Sequence, residues 1–315
     1  MLTVSNLSKR YGNVLALQNV SFHIQEKESA GIFSAAGPAG PALCGLLSGL
    51  YECRPGQICI GGLDMGKSAE KARALVGYLP RGNPLYGDMS VFEYLEFICS
   101  LYKIPGKSRR ARIEQAMELC GLASRRDALI RDLSALDARR AGIAGAIVFG
   151  PSLLLLSQPT FALRTEDAEQ VRALLAKLRG SYTLLLLTDS ITEITELCRH
   201  IIILNKGRVV SDSSLSDLAA TTGGNNRLKL RMAGSPADLQ ALFGLLPGIL
   251  DVNFQRTFEP GTVDILLEVR RGTDLRRDIW ALAAKAQLPI LEMRPISVSL
   301  EDVFLQLTGS GGGSL

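Results

Sequence analysis

From Gly31 to Leu50 the chain reads G-I-F-S-A-A-G-P-A-G-P-A-L-C-G-L-L-S-G-L. A short apolar strand runs into a glycine-bearing loop and then into a leucine-rich helix. This is the frame of a phosphate-cradling loop, G-x-x-x-x-G-K-[ST], set between strand and helix. Such a loop places backbone amides at a helix N-terminus, so the frame points to an α/β arrangement. The polar chemistry of the frame is missing. Gly40 stands at the lysine position, and Pro41 stands at the next, where a hydroxyl for Mg²⁺ belongs.

The rest of the pattern agrees with an α/β chain. Residues 2–30 alternate like paired strands; Ala30–Phe33 is expected to feed the loop at Ser34–Pro41 and a helix over Ala42–Leu50. Further strand signals lie at Gln57–Ile60 and Val76–Leu79, and residues 90–150 read as helices. Leucine runs at 153–156 and 184–187, with a helix between them, suit a parallel sheet covered on both faces. The stretch from His200 to Val210 reads as a hairpin with N-K-G as its turn.

Thr221–Asn226 is linker-like by composition. After it the pattern restarts as strand Leu228–Met232, helix Pro236–Leu246, strand Leu250–Arg256, strand Thr262–Val269, helix Asp274–Lys285, strand Pro289–Pro295 and helix Ser299–Leu307. That β-α-β-β-α-β order is ferredoxin-like. The expected division is a first domain over 1–220, with a helical subdomain at about 84–150, a linker at 221–227 and a small α+β domain over 228–308. The tail 309–315 reads as an artificially added linker.

Totals exclude several classes. The chain has 315 residues, enough for about two domains, and a net charge of +4, which gives no nucleic-acid signal. Six cysteines without a C-x-x-C pair read as buried thiols in a reducing compartment. His23 and His200 are too few and too isolated for a metal site. No apolar run reaches the ~18 residues that a membrane span needs. The N-terminus lacks a signal-peptide pattern, so a cytosolic protein is expected.

These pieces, in this order, resemble the ATPase subunit of an ABC transporter over about residues 1–220. The C-terminal half, ending S-L-E-D-V-F-L-Q-L-T, resembles the extension of drug-, lipid- and gliding-type exporter ATPases. The resemblance implies a P-loop NTPase (RecA-like) core with a helical subdomain and an antiparallel β subdomain, plus a smaller ferredoxin-like domain. It implies that Tyr11, in K-R-Y-G-N-V, is the ring that stacks on adenine. In V-G-Y-L-P-R-G-N the Q-loop glutamine is Arg81. In L-S-A-L-D the signature segment keeps Leu133 and Ser134, while its glycines and glutamine are Ala135, Leu136 and Asp137. In L-L-L-L-S-Q-P-T the magnesium aspartate is Ser157 and the catalytic glutamate is Gln158. The D-loop aspartate is Arg164, and the switch histidine is Asp189.

Triphosphate binding needs cationic neutralisation and backbone donors. Here the lysine, the hydroxyl and the aspartate are absent, and Pro38 and Pro41 remove two amide donors. Gln158 can orient a water but cannot take its proton. Asp189 sets a negative charge where the family has an imidazole. The expected function is therefore a catalytically degenerate (pseudo-ATPase) subunit, with no catalytic residues, no metal site and no bound cofactor. ATP and Mg²⁺ are expected only if the site proves competent, with residual contacts at Tyr11, Gly37, Gly40, Pro41 and Ala42. The alternatives are a working ATPase with an atypical site powering export, or a soluble adaptor. The resemblance implies an integral membrane permease as partner, docked on Tyr86, Met89, Phe92 and Tyr94, and a homo- or heterodimer with another ABC ATPase subunit. It also implies a cytoplasmic location, peripheral on the inner face of the cell membrane.

Overall fold

The computed structural model describes residues 1–34, 37–222, 226–255, 259–270 and 273–296. The expected helix over Ser299–Leu307 and the tail 309–315 lie outside the described residues. The chain divides into two compact units, one over Met1–Leu215 and one beginning at Ser216.

The first unit opens with β1 (Leu2–Tyr11) and β2 (Val14–Ile24), then β3 (Ser29–Ser34), α1 (Ala39–Leu47), β4 (Ile58–Ile60), β5 (Leu63–Asp64), α2 (Ala69–Arg73) and β6 (Val76–Leu79). A helical stretch follows: α3 (Val91–Leu101), α4 (Gly106–Leu119) and α5 (Ala135–Ile147). The unit ends with β7 (Leu153–Ser157), α6 (Thr165–Leu178), β8 (Thr183–Thr188), α7 (Ile191–Leu197), β9 (His200–Asn205) and β10 (Arg208–Ser214).

Two sheets result. One is antiparallel, in the order β2-β1-β4-β5; the other has six strands in the order β10-β9-β3-β8-β7-β6. In the larger sheet β9, β3, β8, β7 and β6 run parallel and β10 pairs antiparallel at the edge. Leu153–Leu156 and Leu184–Leu186 are fully buried, as unbroken apolar strands covered on both faces must be. Each such leucine removes roughly 2 kcal/mol worth of apolar surface from water. Alternate residues Leu153, Leu155, Leu185 and Ile202 join Leu43, Leu46 and Leu47 of α1 and Leu7, Leu17 and Val20 of the antiparallel sheet in one core. Helix α1 is thus held between the two sheets. The β9–β10 turn carries Lys206 at φ 48° and Gly207 at φ 78°, a two-residue turn whose twist suits a hairpin.

Helix α1 begins at Ala39, three residues before the expected Ala42, so Pro41 lies in its first turn. A proline is tolerated there because a first-turn N–H has no intrahelical acceptor. Helix α3 is started by a capping box: Ser90 Oγ accepts from Glu93 N, and Glu93 Oε2 accepts from Ser90 N.

The second unit contains α8 (Leu215–Thr222), β11 (Asn226–Ala233), α9 (Pro236–Gly244), β12 (Ile249–Gln255), β13 (Thr262–Val269), α10 (Arg276–Lys285) and β14 (Ile290–Ile296). Thr221 and Thr222 close α8 rather than open a linker. The sheet order β12-β13-β11-β14, antiparallel throughout, is the ferredoxin-like order. Leu239, Phe243 and Ile279 of its helices pack on Leu230, Ile265 and Leu267.

Candidate functional site

Helix α1 starts at the C-terminal end of β3, with β7 and β8 alongside in the parallel sheet. The crevice there is where open α/β sheets bind ligands. A cavity of about 490 Å³ occupies it, and Gly37, Gly40, Pro41, Arg81, Ser157, Gln158 and Asp189 all line it. Segments 40 to 150 residues apart in sequence therefore meet around one space. A larger hollow of about 690 Å³, lined in part by Lys9, Arg10 and Arg54, lies elsewhere and contains none of these residues.

Among the described residues the loop end offers little to a phosphate. Pro38 is the N-cap of α1, no side chain caps the helix, and its first turn carries no charge. The Ala42 amide donates to Pro38 O at 3.0 Å. Ala42 is itself fully buried, so it is not an available phosphate donor. Among the described residues an added Cβ at Gly40 would meet only Ser34, at 3.6 Å.

The floor is built from residues that the motif comparison does not single out. Cys44 of α1 is in hydrogen-bonding contact with Ser157 of β7 and Tyr78 of β6. Burial pushes the Cys44 thiol up to about 11, against the lowering effect of those two contacts. Burial also raises the Tyr78 hydroxyl above its ordinary range. At pH 8 a thiol with that pKa is ionised to about one part in a thousand. In the native protein Cys44, Cys120 and Cys198 are expected to resist iodoacetamide at pH 8, while the half-buried Cys53 and Cys59 react first. Mass spectrometry of labelled peptides reads the order. The expectation that all six thiols are buried thus holds for four of them.

Two arginines brace the wall: Arg81, which lines the cavity, and Arg139, which does not. The Arg81 guanidinium lies 3.7 Å from the centre of the Phe161 ring, a cation–π contact. Phe161 does not line the cavity. Arg139 of α5, almost fully buried, donates to Arg81 O at 3.3 Å and Phe161 O at 3.0 Å. Glu193 of α7, also buried, accepts from Thr160 N at 3.0 Å. Gln158 sits at φ 44°, a left-handed conformation rare for a residue with a side chain. Its amide donates to Leu187 O at 2.8 Å, and its buried Oε1 has no hydrogen-bond partner.

Several expectations change here. Tyr11 does not line the cavity; it stands edge-on to Tyr51 at 5.8 Å, and Tyr51 is the lining ring. Tyr51 lies so close over α1 that a Cβ at Gly45 would be 2.2 Å from it. Asp137 is not a free negative charge. Arg125 at 3.2 Å and Arg140 at 3.4 Å neutralise it, and Ser134 caps α5 by accepting from its amide at 3.0 Å. Arg164 pairs with Asp167 at 3.1 Å. Leu133, Ala135 and Leu136 sit with Ser134 at the start of α5, partly or fully exposed.

Of the proposed docking residues, Tyr94 is buried. Its hydroxyl occupies the space at Gly145 of α5, where a Cβ would be 2.7 Å away. That removes it from any docking surface. Tyr86 is 54% exposed and stacks edge-on against Phe97 at 5.4 Å. Met89 and Phe92 are half-buried, and Arg126 covers the Phe92 ring at 4.0 Å.

The ABC transporter family model matches residues 17–161. The linearmycin resistance ATP-binding protein LnrL of Bacillus subtilis is 24% identical over 98% of this chain and 98% of its own length. The daunorubicin resistance ATP-binding protein DrrA3 of Streptomyces coeruleorubidus is 29% identical over 98% of this chain and 96% of its own length. Among solved structures, cbiO1 of Clostridium perfringens, part of the ABC transporter complex cbiONQ, superposes with a TM-score of 0.63. It shares 23% identity and covers 70% of this chain and 90% of its own. A dimeric ATP-binding cassette bound to ADP and phosphate gives a TM-score of 0.61 at 24% identity, covering 68% of this chain and 99% of its own. These structures share the fold of the first unit.

Proposed function

The chain belongs to the ABC transporter ATP-binding family, and from that premise we propose that it is a catalytically degenerate subunit of an export complex. It acts as a structural or coupling partner of a membrane permease and of an active ATPase subunit. One observation carries the reading. The positions that hold lysine, hydroxyl, aspartate, glutamate and histidine in this family hold Gly40, Pro41, Ser157, Gln158 and Asp189 here, and all five line one cleft. The cleft thus lacks the ammonium, the magnesium ligands and the general base that phosphoryl transfer uses. The leucine strands flanking it stay fully buried while its phosphate chemistry is gone, which fits a part retained for contacts rather than turnover.

The export direction rests on relatives named for linearmycin and daunorubicin resistance and Nod factor export. Among the described residues no helix is long and apolar enough to cross a membrane. In this reading the membrane partner is a separate chain and this subunit lies on the cytoplasmic face. Residues 1–220 form the ATPase-like part and 228–308 the appended domain. The docking surface is Tyr86, Met89 and Phe92, since aromatic and methionine side chains anchor interfaces well.

The experiment is affinity isolation from native membranes without overexpression. An integral membrane permease is expected to co-purify, together with a second ATPase subunit that accounts for the turnover of the complex. Isolation of this chain in a stable complex with no membrane protein would contradict the reading.

A further inference from the structure

The corner where α3 meets α4 gathers positive charge. From Leu101 to Arg112 the chain reads L-Y-K-I-P-G-K-S-R-R-A-R, with five cations and no carboxylate. The Lys103 side chain is 85% exposed and meets the similarly exposed Glu70 at 3.7 Å, a surface pair that neutralises little. Arg110 pairs with Glu114 at 2.9 Å. Lys107, Arg109 and Arg112 have no ion-pair partner among the described residues. Arg109 Nε donates to Ile104 O at 2.7 Å and Arg112 Nη1 to Phe149 O at 3.0 Å, so backbone carbonyls position both guanidinium groups and leave their charge uncompensated. Arg73 brings a sixth cation near Tyr102, and Glu96 a third carboxylate near Cys99.

The same corner exposes apolar surface. Leu101 is 59% exposed. On α4, Ile113, Ala116 and Met117 turn inward and leave Lys107 and Arg110 on the outer side. Cations beside an exposed aliphatic side chain suit a surface that lies on a headgroup layer. Tyr102 is the one aromatic residue in the stretch, and Phe149 takes one face of its ring; a nucleic-acid strand stacks on a series of such rings. Helix α3 runs from Phe92 to Leu101, about 14 Å at the rise of an α-helix, so the corner lies one short helix away from the proposed docking residues.

We propose that the α3–α4 corner binds the anionic headgroups of a membrane surface directly, with Lys103, Lys107 and Arg110 against the lipid phosphates and Leu101 at the acyl boundary. This contact is additional to the permease and independent of the nucleotide cleft.

The test is flotation of the full chain with protein-free vesicles, made of phosphatidylcholine alone or of equal parts phosphatidylcholine and phosphatidylglycerol. Binding is expected only to the anionic vesicles and is expected to fall as salt is raised. The triple variant Lys103→Gln, Lys107→Gln, Arg110→Gln is expected to weaken it roughly tenfold or more, since each cation near the surface contributes. A control that removes the same charge elsewhere, Lys27→Gln, Lys177→Gln, Lys206→Gln, is expected to change it by roughly twofold or less. All six side chains are exposed, so thermal unfolding of both variants is expected to match the parent. Equal binding to neutral vesicles, no binding to either kind, or equal loss in the two variants overturns the lipid surface. So does a preference for single-stranded RNA over anionic vesicles at equal charge concentration. The vesicles contain no permease, so each of these outcomes leaves the degenerate-subunit reading standing.

Discussion

A variant carrying Gly40→Lys, Pro41→Thr and Ser157→Asp is expected to gain roughly three decades or more in Mg²⁺-ATP affinity over the parent chain. Each change returns one charged or metal-directed contact, and a charge-assisted hydrogen bond contributes about 1.5–3 kcal/mol. At 1.4 kcal/mol per decade, three such contacts supply that gain. The fold allows it. Among the described residues, an added Cβ at position 40 meets only Ser34, at 3.6 Å, and Pro41 lies in the first turn of α1, where any residue with an N–H adds a donor. Ser157 is a half-buried residue at the end of β7, on the cavity wall. A nucleotide-dependent rise in unfolding temperature follows from the same linkage. If the variant folds and binds no better than the parent, these three positions are not where the phosphates lie.

The second large effect concerns folding. Gly77→Val is expected to cost about 4 kcal/mol or more, at the severe end for a single substitution. A Cβ at Gly77 would stand 2.1 Å from the backbone oxygen of Ala146 and 2.9 Å from Pro151. Neither side can yield. Gly77 is held in register opposite Leu154 of β7, and α5 is pinned to the same wall by Asn83 Nδ2 donating to Ala138 O at 2.8 Å. For a unit of this size such a loss lowers Tm by roughly 10 °C. Gly106→Ala is the control: nothing lies within 4 Å of its added Cβ and its φ is not positive. It is expected to change stability by about 0.5 kcal/mol or less. Thermal unfolding of both variants separates a packing limit from a general intolerance to glycine loss.

The strands and the frame of the site were legible because they depend on local pattern. The apolar runs at 153–156 and 184–187 name the central strands, and N-K-G names the hairpin turn that Lys206 and Gly207 make. The restart at Leu228 gives the β-α-β-β-α-β order that the second sheet follows. Motif order alone assembled Gly40, Arg81, Ser157, Gln158 and Asp189 into one site, and they line one cavity.

What stayed hidden depends on contacts between distant segments. Nothing around Cys44 announces that it meets Tyr78 and Ser157, since no period or spacing links the three. Tyr51 and not Tyr11 lines the cavity, and its ring lies against Gly45 of α1 where a Cβ would stand 2.2 Å away. Asp137 reads as a repulsive charge until Arg125 and Arg140 are seen on it. Tyr94 looks like a docking residue beside Tyr86, but the helical period turns it inward onto Gly145. Arg139 joins the carbonyls of Arg81 and Phe161, and a sequence shows it only as one basic residue on a helix.

The most direct measurement is calorimetric titration of the unaltered chain with Mg²⁺-ATP, followed by a turnover assay on the same preparation. A vacated phosphate cradle predicts no saturable binding in the micromolar range and no phosphate release above buffer. Micromolar binding with hydrolysis that Gln158→Ala abolishes would contradict it, and would make this chain a working motor with an unusual site.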